Sequence, residues 1–240
     1  MADLPVDFLS SPHVPLKAED PDQFESTESV KHFEDILDQT QATPANSKCW
    51  EPEHYAEYFD VTTELVATRL MRGLYPFSDE LLGGGKPDLY GPVWVATTFV
   101  FTLIAASYFS LSAKGVWHFD LNEISVAAGV VYGCLAGVPL GVFCILTNSG
   151  SKSTYTEVVC LYGYALGVYV LACPLCVWNV AWLRWLALAL ATAWSAFVYI
   201  KHLWTEIVAT HPGKPYLVCV VGLLGHVLIF FVSNFYFFKG

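Results

Sequence analysis

Five stretches of this chain carry no charged residue, and nothing else in the sequence limits its fold as strongly. Leu89 to Ala113 is an uncharged run of 25 residues, Ile124 to Ser151 of 28, Val158 to Leu183 of 26, Trp185 to Ile200 of 16 and Pro215 to Phe238 of 24. Moving an ion from water into hydrocarbon is so unfavourable that charges collect at the ends of membrane-crossing segments and mark them. About 20 helical residues cross the hydrocarbon core, so four runs qualify outright. The short fourth run belongs to a 43-residue stretch, Val158 to Ile200, whose only charge is Arg184. Two crossings fit there, with a tight turn around Pro174 and Asn179 and with Trp178, Trp182 and Trp185 as interfacial aromatics. The pattern predicts an all-α, polytopic membrane bundle with five transmembrane helices, at 93–112, 124–146, 157–177, 181–200 and 216–237. A re-entrant hairpin over 158–200 is the alternative.

The charges themselves are segregated. Met1 to Pro92 holds 18 acidic and 6 basic residues, whereas Val93 to Gly240 holds 4 and 6. Residues 1–49 are rich in acids, prolines, serines and glutamines, too polar to bury the apolar surface that would offset ordering entropy. They read as a disordered acidic tail, 50–88 as a cytosolic segment and 89–240 as the membrane domain. The first twenty residues have no apolar run and carry Asp3, Asp7, Glu19 and Asp20, so no cleavable secretory signal is expected. A cytosolic N-terminus puts Arg69, Arg72, Lys86, Lys152, Lys201 and Lys214 inside, against Lys114, Arg184 and Lys239 outside, in keeping with the positive-inside rule. Five crossings then leave the C-terminus lumenal.

Between tail and membrane, Val66, Leu70 and Leu74 form one stripe, with Phe59, Thr63 and Ala67 nearby and Glu64, Arg69 and Arg72 off it. That spacing predicts an amphipathic helix capped by Asp60 and ended by Gly73 and Pro76. It can dock on the membrane surface, on the protein's own spans or on a cytosolic partner. The glycine run Gly83–Gly85 with Lys86 is not a phosphate-binding loop. The glycine required five residues before Gly85 is Glu80, and Pro87 stands where a magnesium-binding hydroxyl is needed.

Within the second span Gly129, Gly133, Gly137 and Gly141 recur every four residues, with Ser125 upstream. Such a face lets helix backbones approach closely, within one protomer or between two, and Gly133→Leu is expected to disrupt assembly. Six of the seven cysteines fall inside the spans. Cys173 and Cys176, spaced as CPLC, lack the electropositive setting of a redox pair and the further ligands of a zinc site. His226 stands alone mid-span, where an ionisable group raises a functional question, and a hydrogen bond to a neighbouring helix is the simpler account. The only acids of the membrane body, Asp120, Glu123, Glu157 and Glu206, lie near span ends. No catalytic residue, metal site or cofactor is therefore expected, and no nucleic-acid partner.

Asp-Leu-Tyr-Gly-Pro-Val-Trp at Asp88–Trp94 before the first span, Tyr162-Gly163-Tyr164 in the third, and Tyr58 to Leu70 upstream together resemble the Yip family of Rab-interacting Golgi membrane proteins. The likeness is to its longer subgroup with a cytosolic N-terminal tail and runs from about Trp50 to the C-terminus. Two departures stand out: Ala165 where the family has serine, and Leu171 where it has proline, a role Pro174 can take. The resemblance implies a five-span protein of the Golgi membrane, extending to trans-Golgi and late endosome, that acts in vesicle-mediated transport. Its implied partners are Rab-class small GTPases and other Yip-type membrane proteins. Asp88, Leu89, Tyr90, Gly91, Pro92, Gly163 and Tyr164 are the motif residues it singles out. Their local chemistry reads independently: Pro92 starts a helix without wasting an N–H, Gly91 loosens the turn, Tyr90 suits an interface, and Asp88 is placed to cap or to meet a cation. A small transporter or channel and a membrane-shaping protein are the competing functions. The first suffers from the scarcity of intramembrane charge.

Overall fold

Helix begins almost at once where the charges stop. The computed structural model describes residues 56–75, 77, 81–82, 85–115, 120–178, 180–210 and 215–238. The acidic tail expected at 1–49 lies outside the described residues. All of the described residues belong to one compact unit, Pro52–Gly240.

The first helix, α1 (Thr63–Leu74), is amphipathic as its spacing predicts, but its cap is Thr62, whose hydroxyl accepts the Leu65 N–H at 3.4 Å, and not Asp60. The five expected crossings follow. They are α2 (Tyr90–Ser112), α3 (Leu121–Asn148), a composite third span, α6 (Ala181–Thr210) and α7 (Pro215–Val232), the last closed by a π-helical turn at Ser233–Phe237. The third span comprises α4 (Tyr155–Ala165), α5 (Gly167–Ala172) and a 3-10 turn at Cys173–Val177 that contains Pro174. Five segments are thus long and apolar enough to cross a membrane, and 158–200 forms two of them rather than a hairpin. The caps use the acids at the span ends. Asp120 accepts the Asn122 N–H, and Thr154 with Glu157 forms a reciprocal capping box, so these carboxylates hold orphan helix donors.

The fourth span is longer than its uncharged run because Arg184 and Lys201 lie inside the helix rather than at its ends. Arg184 reaches along the bundle to stack its guanidinium 5.8 Å from the Phe238 ring centroid, which suits a long side chain near a span end.

The third span is the axis of the bundle: 72% of its crossing window is buried, against 33–44% for the other four. Its run Val158–Gly167 is buried without a break, which is why its sequence is apolar on all sides. The first, second and fourth spans and α1 pack around it, and α7 closes the bundle between the second and fourth.

The glycine face of α3 is turned away from this core. A Cβ added at Gly129, Gly133 or Gly137 would meet nothing within 4 Å, and only Gly141 packs, its Cβ position 3.1 Å from Val221. Of the two readings, packing within the protomer therefore holds for Gly141 alone among the four glycines. Gly133→Leu should leave the protomer's thermal stability within about 0.5 kcal/mol. A shift in oligomeric mass by light scattering, with the melting point unchanged, would assign the face to a second copy.

Candidate functional site

Two glycine motifs far apart in sequence meet at the start of the first span. Tyr164 lays its ring against Gly91, where an added Cβ would overlap Oη and Cζ outright and lie 2.7 Å from Cε1. Reciprocally, Pro92 presses on Gly163, where a Cβ would lie 2.7 Å from Pro92 Cα and closer still to its Cβ. Only glycine permits either approach, so the two motifs form one interlock that fixes the depth of the first span against the third.

At the centre of the interlock sits Asp88, fully buried. One carboxylate oxygen accepts the Gly91 N–H at 2.8 Å, capping α2 from its third-preceding residue. The other pairs with the guanidinium of Arg69 on α1, also fully buried. Tyr164 Oη lies 3.2 and 3.1 Å from the two oxygens and donates to the carboxylate, and Cys160 Sγ approaches at 3.7 Å. A second Arg69 N–H donates to the Lys86 carbonyl at 2.7 Å. The backbone adds a further tie, Leu89 N–H to the Tyr58 carbonyl at 2.9 Å. Further hydrogen bonds are what offset the desolvation of such a pair; here four donors and acceptors surround it, with Arg69 Nε left unpartnered.

Asp88 therefore performs both duties its position allows, helix cap and ion pair. Its cation comes from α1, so the Arg69 assigned to the exposed side is in fact the buried one. The buried edge of α1 is Val66, Arg69, Leu70, Gly73 and Leu74, while Thr63, Ala67 and Phe59 face outward. A Cβ added at Gly73 would lie 3.0 Å from the Tyr164 carbonyl oxygen, and one at Gly167 3.1 Å from the Leu70 side chain, so both glycines admit close packing of α1 on the third span. Leu89 is half-buried, and Tyr90 lies outside the interlock, exposed and tilted against Trp94 at 6.1 Å, as an interfacial aromatic would be.

Beside the interlock, α1 and the loop before the first span enclose an open polar groove of about 640 Å³. Asp60, Thr62, Glu64, Thr68, Arg72 and Lys86 are among its walls. Lys86 pairs with Glu57, whose charge and hydrogen bond raise the ammonium above the usual lysine range. The pair is exposed, so it contributes little to stability.

His226 lies elsewhere, in the bundle interior. Its ring stacks on Tyr162 at 4.8 Å and on Tyr169 at 6.3 Å, meets Tyr199 edge-on at 6.2 Å, and Nδ1 is 3.4 Å from Ser195 Oγ. Gly222 and Gly225 make room for Tyr199 and Tyr162. This aromatic setting favours the structural account of the histidine. Cys173 and Cys176 are buried and free, the Cys176 thiol turned to the Ala172 carbonyl at 3.6 Å.

Comparison with known proteins agrees with this architecture. The Yip1 domain matches residues 74–233, two thirds of the chain. A Dictyostelium discoideum protein, Protein YIPF1 homolog, is 31% identical over 196 residues, which is 79% of this chain and 56% of its own length. Protein YIP5 of Schizosaccharomyces pombe is 29% identical over 115 residues, 45% of each chain. The chain spans about half the length of these curated relatives, and no solved structure matches it. With five membrane-length helices, the first and third locked together by the two glycine motifs, the chain belongs to the Yip1 domain family of multi-pass membrane proteins.

Proposed function

We propose that this chain is a Golgi and endosomal membrane adaptor that recruits Rab-class small GTPases and works with other Yip-type proteins in vesicle-mediated transport, making and breaking no covalent bonds. In this reading the N-terminus is cytosolic and the C-terminus lumenal. The observation that carries it is the polar groove along α1, held on the membrane body by the buried Arg69–Asp88 pair. A recognition surface that is already rigid loses less entropy on binding than a loose one. Its acidic wall, Asp60 and Glu64, is exposed and offers charge complementarity to a basic partner surface.

Deleting residues 50–92 would be the direct test on sequence grounds, but that deletion removes both Arg69 and Asp88 and would damage the bundle. Charge reversal at the groove avoids this. Asp60→Lys with Glu64→Lys should reduce capture of Rab proteins from detergent extracts by roughly tenfold, the scale of losing one or two rim charges. The melting point should stay unchanged. Undiminished capture by a folded double variant would refute the groove as the recruiting surface.

A further inference from the structure

The level at which α1 sits in the bundle can be measured along three spans. Leu70 and Leu74 pack on Gly167 of the third span, where an added Cβ would also lie 3.9 Å from Val95 of the first, and the Leu74 carbonyl accepts the Trp194 indole N–H of the fourth at 2.9 Å. Val95 lies five residues beyond the start of α2, or about 7.5 Å inward. Were the aqueous boundary drawn at this level, Gly167 to Val177 and Ala181 to Trp194 would leave only ~15 and ~20 Å of helix to cross a hydrocarbon core of ~30 Å. The third and fourth spans could not then reach across.

We propose that α1 is a wedge seated in one leaflet of the bilayer, its C-terminal half lying among acyl chains on the side where the first span begins, with Met71 and, just past the helix end, Tyr75 and Phe77 as the lipid-facing edge. Met71 and Phe77 are each 68% exposed and Tyr75 60%, a contiguous apolar rim that water would penalise and lipid accepts. The rim is continuous with the lipid-facing surface of the spans, where Trp94 and Leu171 stand exposed beside it. Beneath the helix runs a cleft of about 230 Å³ walled by Leu70, Leu74, Trp94, Val170 and Leu171, with Thr98 as its single hydroxyl. That hydroxyl is already committed to the Trp94 carbonyl at 2.7 Å. Two of the carbonyls at the helix end are satisfied in the way hydrocarbon demands: the Trp194 indole N–H donates to the Leu74 carbonyl and the Tyr75 N–H to that of Met71. Charge is graded in the same sense. Asp60 and Glu64 stand at the outer end; of the two arginines in the last two turns, Arg69 is buried in its pair with Asp88, and Arg72 is half-buried and borders the polar groove, as a snorkelling arginine would.

A body inserted into one leaflet expands it relative to the other, so the wedge gives the chain a preference for curved membrane. The inference rests on the five spans crossing a bilayer and not on the recruitment of any GTPase.

Nitroxide labels in full-length proteoliposomes test it. With Cys49, Cys144 and Cys219 replaced by alanine, the remaining cysteines are buried. Labels on Met71→Cys and Phe77→Cys should favour collision with oxygen over a soluble nickel chelate by roughly threefold or more relative to Glu64→Cys. The two sites protect against failure of either variant, since both side chains project outward. Labels at 71 and 77 as open to the chelate as that at 64 would place α1 in water and overturn the proposal.

Discussion

Asp88→Ala should be among the most damaging single substitutions in the described chain, destabilising it by about 3–5 kcal/mol, the range for breaking a buried ion pair from one side. It strands the fully buried Arg69 guanidinium, leaving the Lys86 carbonyl as its remaining acceptor. The same substitution removes the cap on the Gly91 N–H and the acceptor of the Tyr164 hydroxyl. Arg69→Ala is expected to cost nearly as much, because it strands the carboxylate instead, although the cap survives. The informative variant is Asp88→Asn combined with Arg69→Met. Asparagine keeps an oxygen for Gly91 and Tyr164, methionine refills the arginine stem's volume, and no charge is left buried. That double variant should melt closer to the parent than Asp88→Ala does, since much of the single-variant loss is the cost of the abandoned partner. Melting in detergent micelles, with protease susceptibility around α1 as the local readout, checks both expectations. An Asp88→Ala protein within about 1 kcal/mol of the parent would show that the pair does not hold α1 in place.

The spans were legible because the physics that writes them is one-dimensional: desolvating an ion is unfavourable wherever it falls in the chain. All five predicted spans match helices of the expected position, with the first three starting two or three residues earlier than expected and the fourth running past Lys201 to Trp204, where a lysine stem lets a charge lie inside the helix. The site was less legible because its forces act between distant segments. Arg69 and Asp88 are 19 residues apart and Asp88 and Tyr164 are 76 apart, so no local periodicity announces the pair. The stripe of α1 did show which face is apolar, yet a buried arginine reads as exposed until its carboxylate is found.

Glycines failed in an instructive way. The four-residue repeat in α3 gives a strong signal of small side chains on one face, but periodicity cannot say whether that face turns inward or outward. Gly91, Gly163 and Gly225 sit in no repeat, and they make the closest approaches. The available signal was chemical rather than periodic: each of the first two lies beside a proline or tyrosine, groups bulky enough to require an absent Cβ opposite.

That difference leads to the second large effect, at the interlock itself. Gly91→Ala and Gly163→Ala each add one methyl group, and each should destabilise by about 1–3 kcal/mol or somewhat more, as overpacking does. Their rescue should differ. At Gly91 the obstacle is the far end of the Tyr164 side chain, which can be shortened; Tyr164→Leu should recover a good part of the loss despite giving up the bond to Asp88. At Gly163 the obstacle includes Pro92 Cα, part of the backbone of α2, so Pro92→Ala should recover little. Melting points of the two pairs of single and double variants measure the contrast, each pair forming a cycle on neighbouring sites where additivity is expected to fail. Equal rescue at both positions would mean that α2 slides to relieve the strain, and the depth of the first span would then be set by the Arg69–Asp88 pair rather than by the glycine contacts.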